Sequence, residues 1–236
     1  MPLDLSRRSG EAEWLDGADL HPAELKLVLC DLARFNGAML GHRPVLTWLN
    51  RAVKDAPSTE PLTLLDVGCG YGDLLRAIRR WAERRGVALR LIGIDLSRET
   101  IRIARDATGA GDDIDYQPAD MFDYRPSVPI DIIVSSLLAH HLSDEAIVKF
   151  LRWMEATARR GWFICDLQRH PVPYYFIGLM GRLTRLHKMV IHDGRISVAR
   201  SLTCREWEMC IAAAGILRGA VDLRWFLFRF AIGRLK

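Results

Sequence analysis

The stretch Leu64-Leu-Asp-Val-Gly-Cys-Gly-Tyr-Gly72 constrains what this chain can fold into more than any other. An apolar run that ends in closely spaced glycines reads as a buried parallel strand turning into a helix. Strands buried on both faces are continuously apolar, and missing Cβ atoms let the backbone turn tightly and approach a ligand. After the last glycine, Leu74, Leu75, Ala77, Ile78 and Trp81 recur at helical spacing as far as Arg84-Arg85-Gly86. Basic residues suit the negative end of the helix dipole, and glycine suits the stop. A strand, a glycine loop and an amphipathic helix in that order imply an α/β fold.

The alternation continues. Leu89 to Asp95 reads as a second strand, with Ser97 as N-cap of a helix to about Ala107. Ile114 to Gln117 is a third strand, Ile130 to Ser136 a fourth, and Gly161 to Asp166 a fifth, the last two separated by a helix from Ser143 through Ala158. Thr203 and Glu206 have the spacing of a capping box for a final helix that Gly215 ends. Leu217 to Trp225 and Phe226 to Arg234 then read as a closing antiparallel pair. The predicted fold is α/β, a doubly wound, mostly parallel seven-stranded sheet with an antiparallel C-terminal strand and a helical N-terminal cap. The cap spans residues 1–60 of the same domain, its helical pattern broken near Gly41 and Pro44, and a Pro-rich link from Ala56 to Pro61 leads into the rest, 61–236. A helical insertion at 171–200 interrupts that part. Ligands of such sheets bind at the carboxyl ends of the strands.

With 236 residues, half of them hydrophobic, the chain suits one sizeable core. A net charge of +4 spread along the length, with no basic run, argues against a nucleic-acid partner. Five scattered cysteines without metal or disulfide spacing, and the lack of a signal-like or ~18-residue apolar stretch, lead to the expectation of a cytoplasmic protein with no transmembrane segment. The oligomeric state stays open.

The loop is GxGxG rather than the dinucleotide-binding GxGxxG, and Asp66 precedes it. A carboxylate there would repel a pyrophosphate and suits a cationic amino-acid moiety. Asp95, at the end of the second strand, is placed to accept both hydroxyls of a ribose, with Leu96 beside it. Asp120 and Met121, after the third strand, are placed to accept an adenine amino group and to cover the ring. The cofactor these features suit is S-adenosyl-L-methionine. Taken one at a time, a glycine loop is often only a tight turn, and Asp95 or Asp120 alone is more often a cap or a solvated acid. At these residues, and along the fourth strand, the chain resembles the class I S-adenosylmethionine-dependent methyltransferases over about Leu62 to Lys236. The run Leu137-Leu-Ala-His-His-Leu-Ser-Asp-Glu is also similar to bacterial methyltransferases of the ubiquinone-biosynthesis type and to relatives found beside polyketide synthases. Gly68, Cys69, Gly70 and Ser135 complete the expected cofactor site, Cys69 as a small filler. Asn36 or Arg43, the latter the better charge match, could reach the methionine carboxylate, and an equally simple reading makes both helix-end residues.

A hydroxyl acceptor must lose its proton, and His140 and His141 lie just beyond the fourth strand, where either could act as base. The competing reading makes one of them a helix cap or a loop hydrogen-bonder. None of the other histidines has ligand spacing, so no metal is expected. The insertion, with Tyr174, Tyr175, Phe176, Leu179, Met180 and Leu183 among Arg182, Arg185 and Lys188, is expected to shape an acceptor pocket. It either packs on the cap or makes weak contact with a membrane surface. The resemblance implies methyl transfer, at oxygen or carbon, to a small aromatic, quinone-like or polyketide acceptor. Two other classes remain: methylation of RNA or protein, and a cofactor-binding protein without transfer, such as a scaffold or a cyclisation catalyst.

Overall fold

The computed structural model describes residues 4–17, 20–54 and 60–236, so most of the expected Pro-rich link lies outside the described residues. A seven-stranded sheet runs in the order β3-β2-β1-β4-β5-β7-β6. Its strands are β1 (Leu62–Val67), β2 (Leu89–Asp95), β3 (Ile114–Pro118), β4 (Ile132–Ser136), β5 (Gly161–Leu167), β6 (Asp222–Phe226) and β7 (Arg229–Leu235). The first five are parallel, while β7 is antiparallel to both β5 and β6. The strand order reverses between β1 and β4, which leaves a crevice at their carboxyl ends.

Every position of β1 and of β5 is buried, as the continuous apolar runs require. Successive side chains go to opposite faces. Leu65, Val67, Ile133, Trp162 and Ile164 pack with Phe150 and Leu151 of α6 (Asp144–Thr157) and Trp207 of α9 (Cys204–Ala213). Leu64, Ile132, Val134 and Phe163 pack with Trp48 and Leu49 of α3 (Arg43–Ala52) and Leu75 and Ile78 of α4 (Asp73–Arg85). The expected caps form: Ser97 accepts from Thr100 N at 3.1 Å to start α5 (Arg98–Asp106), Ser143 starts α6, and Thr203 with Glu206 makes a complete capping box.

Three boundaries differ from the sequence reading by two residues or more. β4 begins at Ile132 rather than Ile130, because the Asp131 carboxylate accepts from Thr63 N at 2.9 Å and ties the strand entrance before pairing begins. Residues 218–220 form a 3-10 turn, so β6 starts at Asp222. The hairpin turn is Leu227-Phe228, with Leu227 left-handed at φ 50°, a conformation that leucine does not advertise.

The N-terminal helices are α1 (Trp14–Gly17), α2 (Pro22–Ala38) and α3, the last a full member of the core through Trp48 against Phe163, ring centroids 5.2 Å apart. The insertion folds as a helical pair, α7 (Pro171–Leu183) and α8 (Lys188–Arg200). Met189 and Val190 of α8 pack on Val28 of α2, while α7 turns Val172, Tyr175, Leu179 and Leu183 outward. No described helix is long and apolar enough to cross a membrane.

Candidate active site

β1 ends in the glycine loop, and three left-handed glycines turn it, Gly68 (φ 71°), Gly70 (φ 50°) and Gly72 (φ 73°). They do different work. A Cβ at Gly68 would stand 2.9 Å from Leu138, and one at Gly72 would collide with the Tyr116 hydroxyl, so both positions are closed by protein. At Gly70 a Cβ would meet nothing within 4 Å. That glycine is the loop's open face, where a ligand can approach the backbone.

Asp66 is buried, and its Oδ1 has no hydrogen-bond partner. Burial pushes its carboxyl well above the usual range, and the nearby charges of Asp73 and Asp95 push it further. A buried acid without a partner, with two more acids close by, is an electrostatic demand for a cation. The sulfonium and ammonium groups of S-adenosylmethionine fit that demand, so the residues present suit this cofactor.

Asp95 ends β2, where its Oδ2 accepts from Gly70 N at 3.0 Å and its Oδ1 from Ser97 N at 3.0 Å. Burial raises its pKa, and those two amides oppose the rise. The same carboxylate therefore ties the glycine loop to the start of α5. Leu96 beside it is 77% exposed, an apolar side chain left without cover. Asp120 is exposed and forms a local turn, its Oδ1 accepting from Phe122 N at 2.8 Å, while Met121 packs at the edge of the core. Ser135 is buried, and its hydroxyl donates to Val67 O at 2.9 Å, tying β4 to the end of β1. Cys69 is buried, and burial raises its thiol well above the usual range, in keeping with a filler.

Arg43 stands apart from these residues. It is exposed at the start of α3 and lines an open cleft with Leu46, Trp81 and Arg85. Its neighbour His42 reaches the first residue of α4 instead, Nε2 lying 2.8 Å from Asp73 Oδ2. Asn36 accepts from Arg229 Nη2 at 2.9 Å. Arg229, buried at the start of β7, borders a small apolar pocket with Phe35, Met39, Leu167, Phe176 and Phe228.

The two histidines sit on a single 3-10 turn, Ala139–His141, set up by Leu137 in a left-handed conformation (φ 59°) directly after β4. They are not equivalent. His140 is buried, with Nδ1 2.6 Å from Asp166 Oδ1, and its backbone N–H donates to Asp166 Oδ2. Burial opposes a charge there, but Asp166 and Glu13 overrule it and raise the imidazole to about 9. His141 remains 29% exposed at its side chain, and burial and the neighbouring His140 charge lower its pKa. An N-terminal strap crosses this turn. Arg8 donates to the carbonyls of His140 and Leu142 and pairs with Asp144 at 2.6 Å, and Glu13 and Asp16 face the histidine rings. Sequence reasoning missed Asp166, Glu13, Asp16 and Arg8. Only Asp166 carried a signal, as an acid near the carboxyl end of a parallel strand.

Residues 64–161 match the family model described as methyltransferase domain. Among curated proteins, the chain is similar to trans-aconitate 2-methyltransferase of Azoarcus sp. (strain BH72), 31% identical over 101 residues, 41% of this chain and 37% of that protein. It is also similar to trans-aconitate 2-methyltransferase of Streptomyces coelicolor, 29% identical over 126 residues, 51% of this chain and 39% of that protein. The match thus spans under half the length of these relatives. Among solved structures, the plantazolicin methyltransferase BpumL with S-adenosylhomocysteine superposes with a TM-score of 0.63 at 16% identity, over 91% of this chain and 97% of that one. Human N-acetylserotonin methyltransferase with S-adenosylmethionine gives 0.62 at 18% identity, over 92% and 56%. At these identities the superpositions establish the fold. With the strand order, the acid-flanked glycine loop and the matched segment taken together, residues 64–161 form a methyltransferase domain on the class I S-adenosylmethionine-dependent methyltransferase fold.

Proposed function

We propose that the chain transfers a methyl group to oxygen or carbon of a small acceptor with an aromatic, quinone-like or polyketide body. The observation that carries this reading is the buried, unpartnered Asp66 carboxylate in the strand that leads into the glycine loop, on the same sheet end as His141 and the apolar pocket. S-adenosylmethionine supplies, when bound, a methyl group already activated on a sulfonium. Asp66 offers its charge to the cationic end, Asp95 accepts from the ribose hydroxyls, and Leu96 and Met121 cover the adenine while Asp120 accepts from its amino group. The apolar side chains of Phe35, Met39, Phe176 and Phe228 enclose only about 20 Å³, so they supply a wall for a flat apolar acceptor rather than a cavity that holds one, and Arg229 at its border suits an acceptor that also carries an anionic oxygen. Leu137 links the two halves. It packs with Leu167, Ile177 and Phe35, and the adjacent Leu138 abuts Gly68. His141, half-exposed on the turn beyond β4, takes the proton of a hydroxyl acceptor, while the buried His140 holds the turn in place.

Calorimetry with S-adenosylmethionine and S-adenosylhomocysteine, followed by a panel of aromatic and polyketide acceptors read by S-adenosylhomocysteine formation, tests this. Micromolar cofactor binding and turnover on a flat apolar acceptor are expected. No cofactor binding would overturn the site, and binding with no turnover on any acceptor would favour the non-transferring class.

A further inference from the structure

Glu13, His140 and His141 each point one ligand atom into a common space, and these atoms lie within 4.8 Å of one another. Their orientation is set from outside that space. Nδ1 of His140 is held by Asp166 at 2.6 Å, and Nδ1 of His141 faces Asp16 at 3.4 Å. Both Nε2 atoms turn toward Glu13, at 3.5 Å from Oε1 and 3.8 Å from Oε2. The Glu13 carboxylate is itself fixed, its Oε1 accepting from Ser197 Oγ at 2.7 Å.

Separations of 3.5 and 3.8 Å are too long for good hydrogen bonds, whose N–H···O distances fall at ~2.7–3.2 Å. They are close to the spacing of two ligands on one ion: bonds of ~2.0–2.1 Å at a tetrahedral centre put neighbouring ligand atoms roughly 3.3 Å apart. A carboxylate on the far ring nitrogen is the device that fixes tautomer and ring orientation in metal-binding histidines. Here both rings face one. Two imidazoles and a carboxylate suit zinc-like ions, whereas calcium and magnesium favour all-oxygen shells.

We propose that Glu13, His140 and His141 form a binding site for one divalent transition-metal ion of the zinc class, clasping the N-terminal strap to the turn after β4. Zinc uptake displaces any proton on the Nε2 atoms, and the two imidazole lone pairs become metal bonds. One consequence rests on the methyl-transfer reading: a His141 lone pair given to the ion is withheld from a hydroxyl acceptor, so zinc inhibits transfer to oxygen. The site itself does not depend on that reading.

The test uses the full chain, stripped with a chelator and titrated with Co2+ and Zn2+. Expected are one metal per chain by elemental analysis and visible cobalt absorption typical of a four-coordinate nitrogen and oxygen shell, without the intense charge-transfer band of a thiolate. Glu13→Gln and His141→Ala should each weaken binding by at least the ~10–100-fold that loss of an outer-shell partner costs. Unchanged cofactor affinity and thermal midpoint in the stripped His141→Ala protein show that it is folded. Absence of stoichiometric metal, or full retention of it in both variants, overturns the site. If metal binds as described but zinc leaves turnover intact, the site stands and the assignment of His141 as base fails.

Discussion

Asp66 and Asp166 are both buried carboxylates one residue from the carboxyl end of a parallel strand, yet their surroundings differ in kind. Asp166 is consumed by the protein, holding the His140 ring and the His140 and Leu167 amides. Asp66 keeps an oxygen with no partner and has acids for neighbours. A paired buried acid is part of the scaffold; an unpaired one marks where a ligand completes the electrostatics. On the proposed reading, the difference makes one end of the rim a binding surface and the other a brace.

Removing the brace should have the largest effect. Asp166→Ala takes the nearer carboxylate from a buried, charged imidazole and leaves only Glu13 at 3.5 Å, and should cost about 3–5 kcal/mol in chemical denaturation. Asp66→Asn should do the reverse in the absence of cofactor. A carboxyl raised above its unfolded value contributes stability below the ordinary carboxylate range and loses it as pH climbs toward the raised value. The amide has no such loss, so the variant should match or exceed the parent in stability at neutral pH while binding S-adenosylmethionine more weakly. A destabilised Asp66→Asn protein would erase the contrast between the two acids.

The histidines sharpen the same comparison within one turn. His141→Gln should lower turnover on a hydroxyl acceptor by ~10²-fold or more with cofactor affinity intact, the usual size of general-base assistance. Full turnover in this variant would leave positioning alone to carry the reaction. On the binding side, Asp95→Ala should weaken cofactor affinity by about 1.5–3 kcal/mol, the worth of hydrogen bonds to a charged group. The smallest change belongs to Asp120→Ala, below about 1.5 kcal/mol by calorimetry, since one contact is lost and Met121 still covers the ring. If Asp120→Ala weakened binding more than Asp95→Ala, the ribose and adenine assignments would have to be exchanged.

The glycine loop and the helix caps were legible because their signals are local. Gly68, Gly70 and Gly72 are a few residues from Asp66, and Ser97, Thr203 and Glu206 cap helices within their own turns. The brace was not legible, because its partners are distant in the chain. Glu13 carries no motif that links it to His140, and Asn36 gives no sign that it will meet Arg229. Arg43, expected from charge matching to meet a carboxylate, lines a cleft with Leu46, Trp81 and Arg85. The β6–β7 turn escaped for another reason, since Leu227 adopts a backbone conformation that only tertiary packing imposes.

That hairpin also bears on the order in which the molecule assembles. β6 joins the sheet only through β7, and β7 pairs with β5, so the arrival of residues 229–235 is a gate through which two strands pass together. Closing an isolated hairpin takes ~1–10 μs, but contacts between segments far apart in the chain form slowly. Phe228 and Arg229 sit at this junction and also border the apolar pocket. The wall of that pocket built from β7 is therefore complete only once β7 has paired with β5. In a refolding time course, acceptor capture should appear no earlier than hydrogen-exchange protection of residues 229–235.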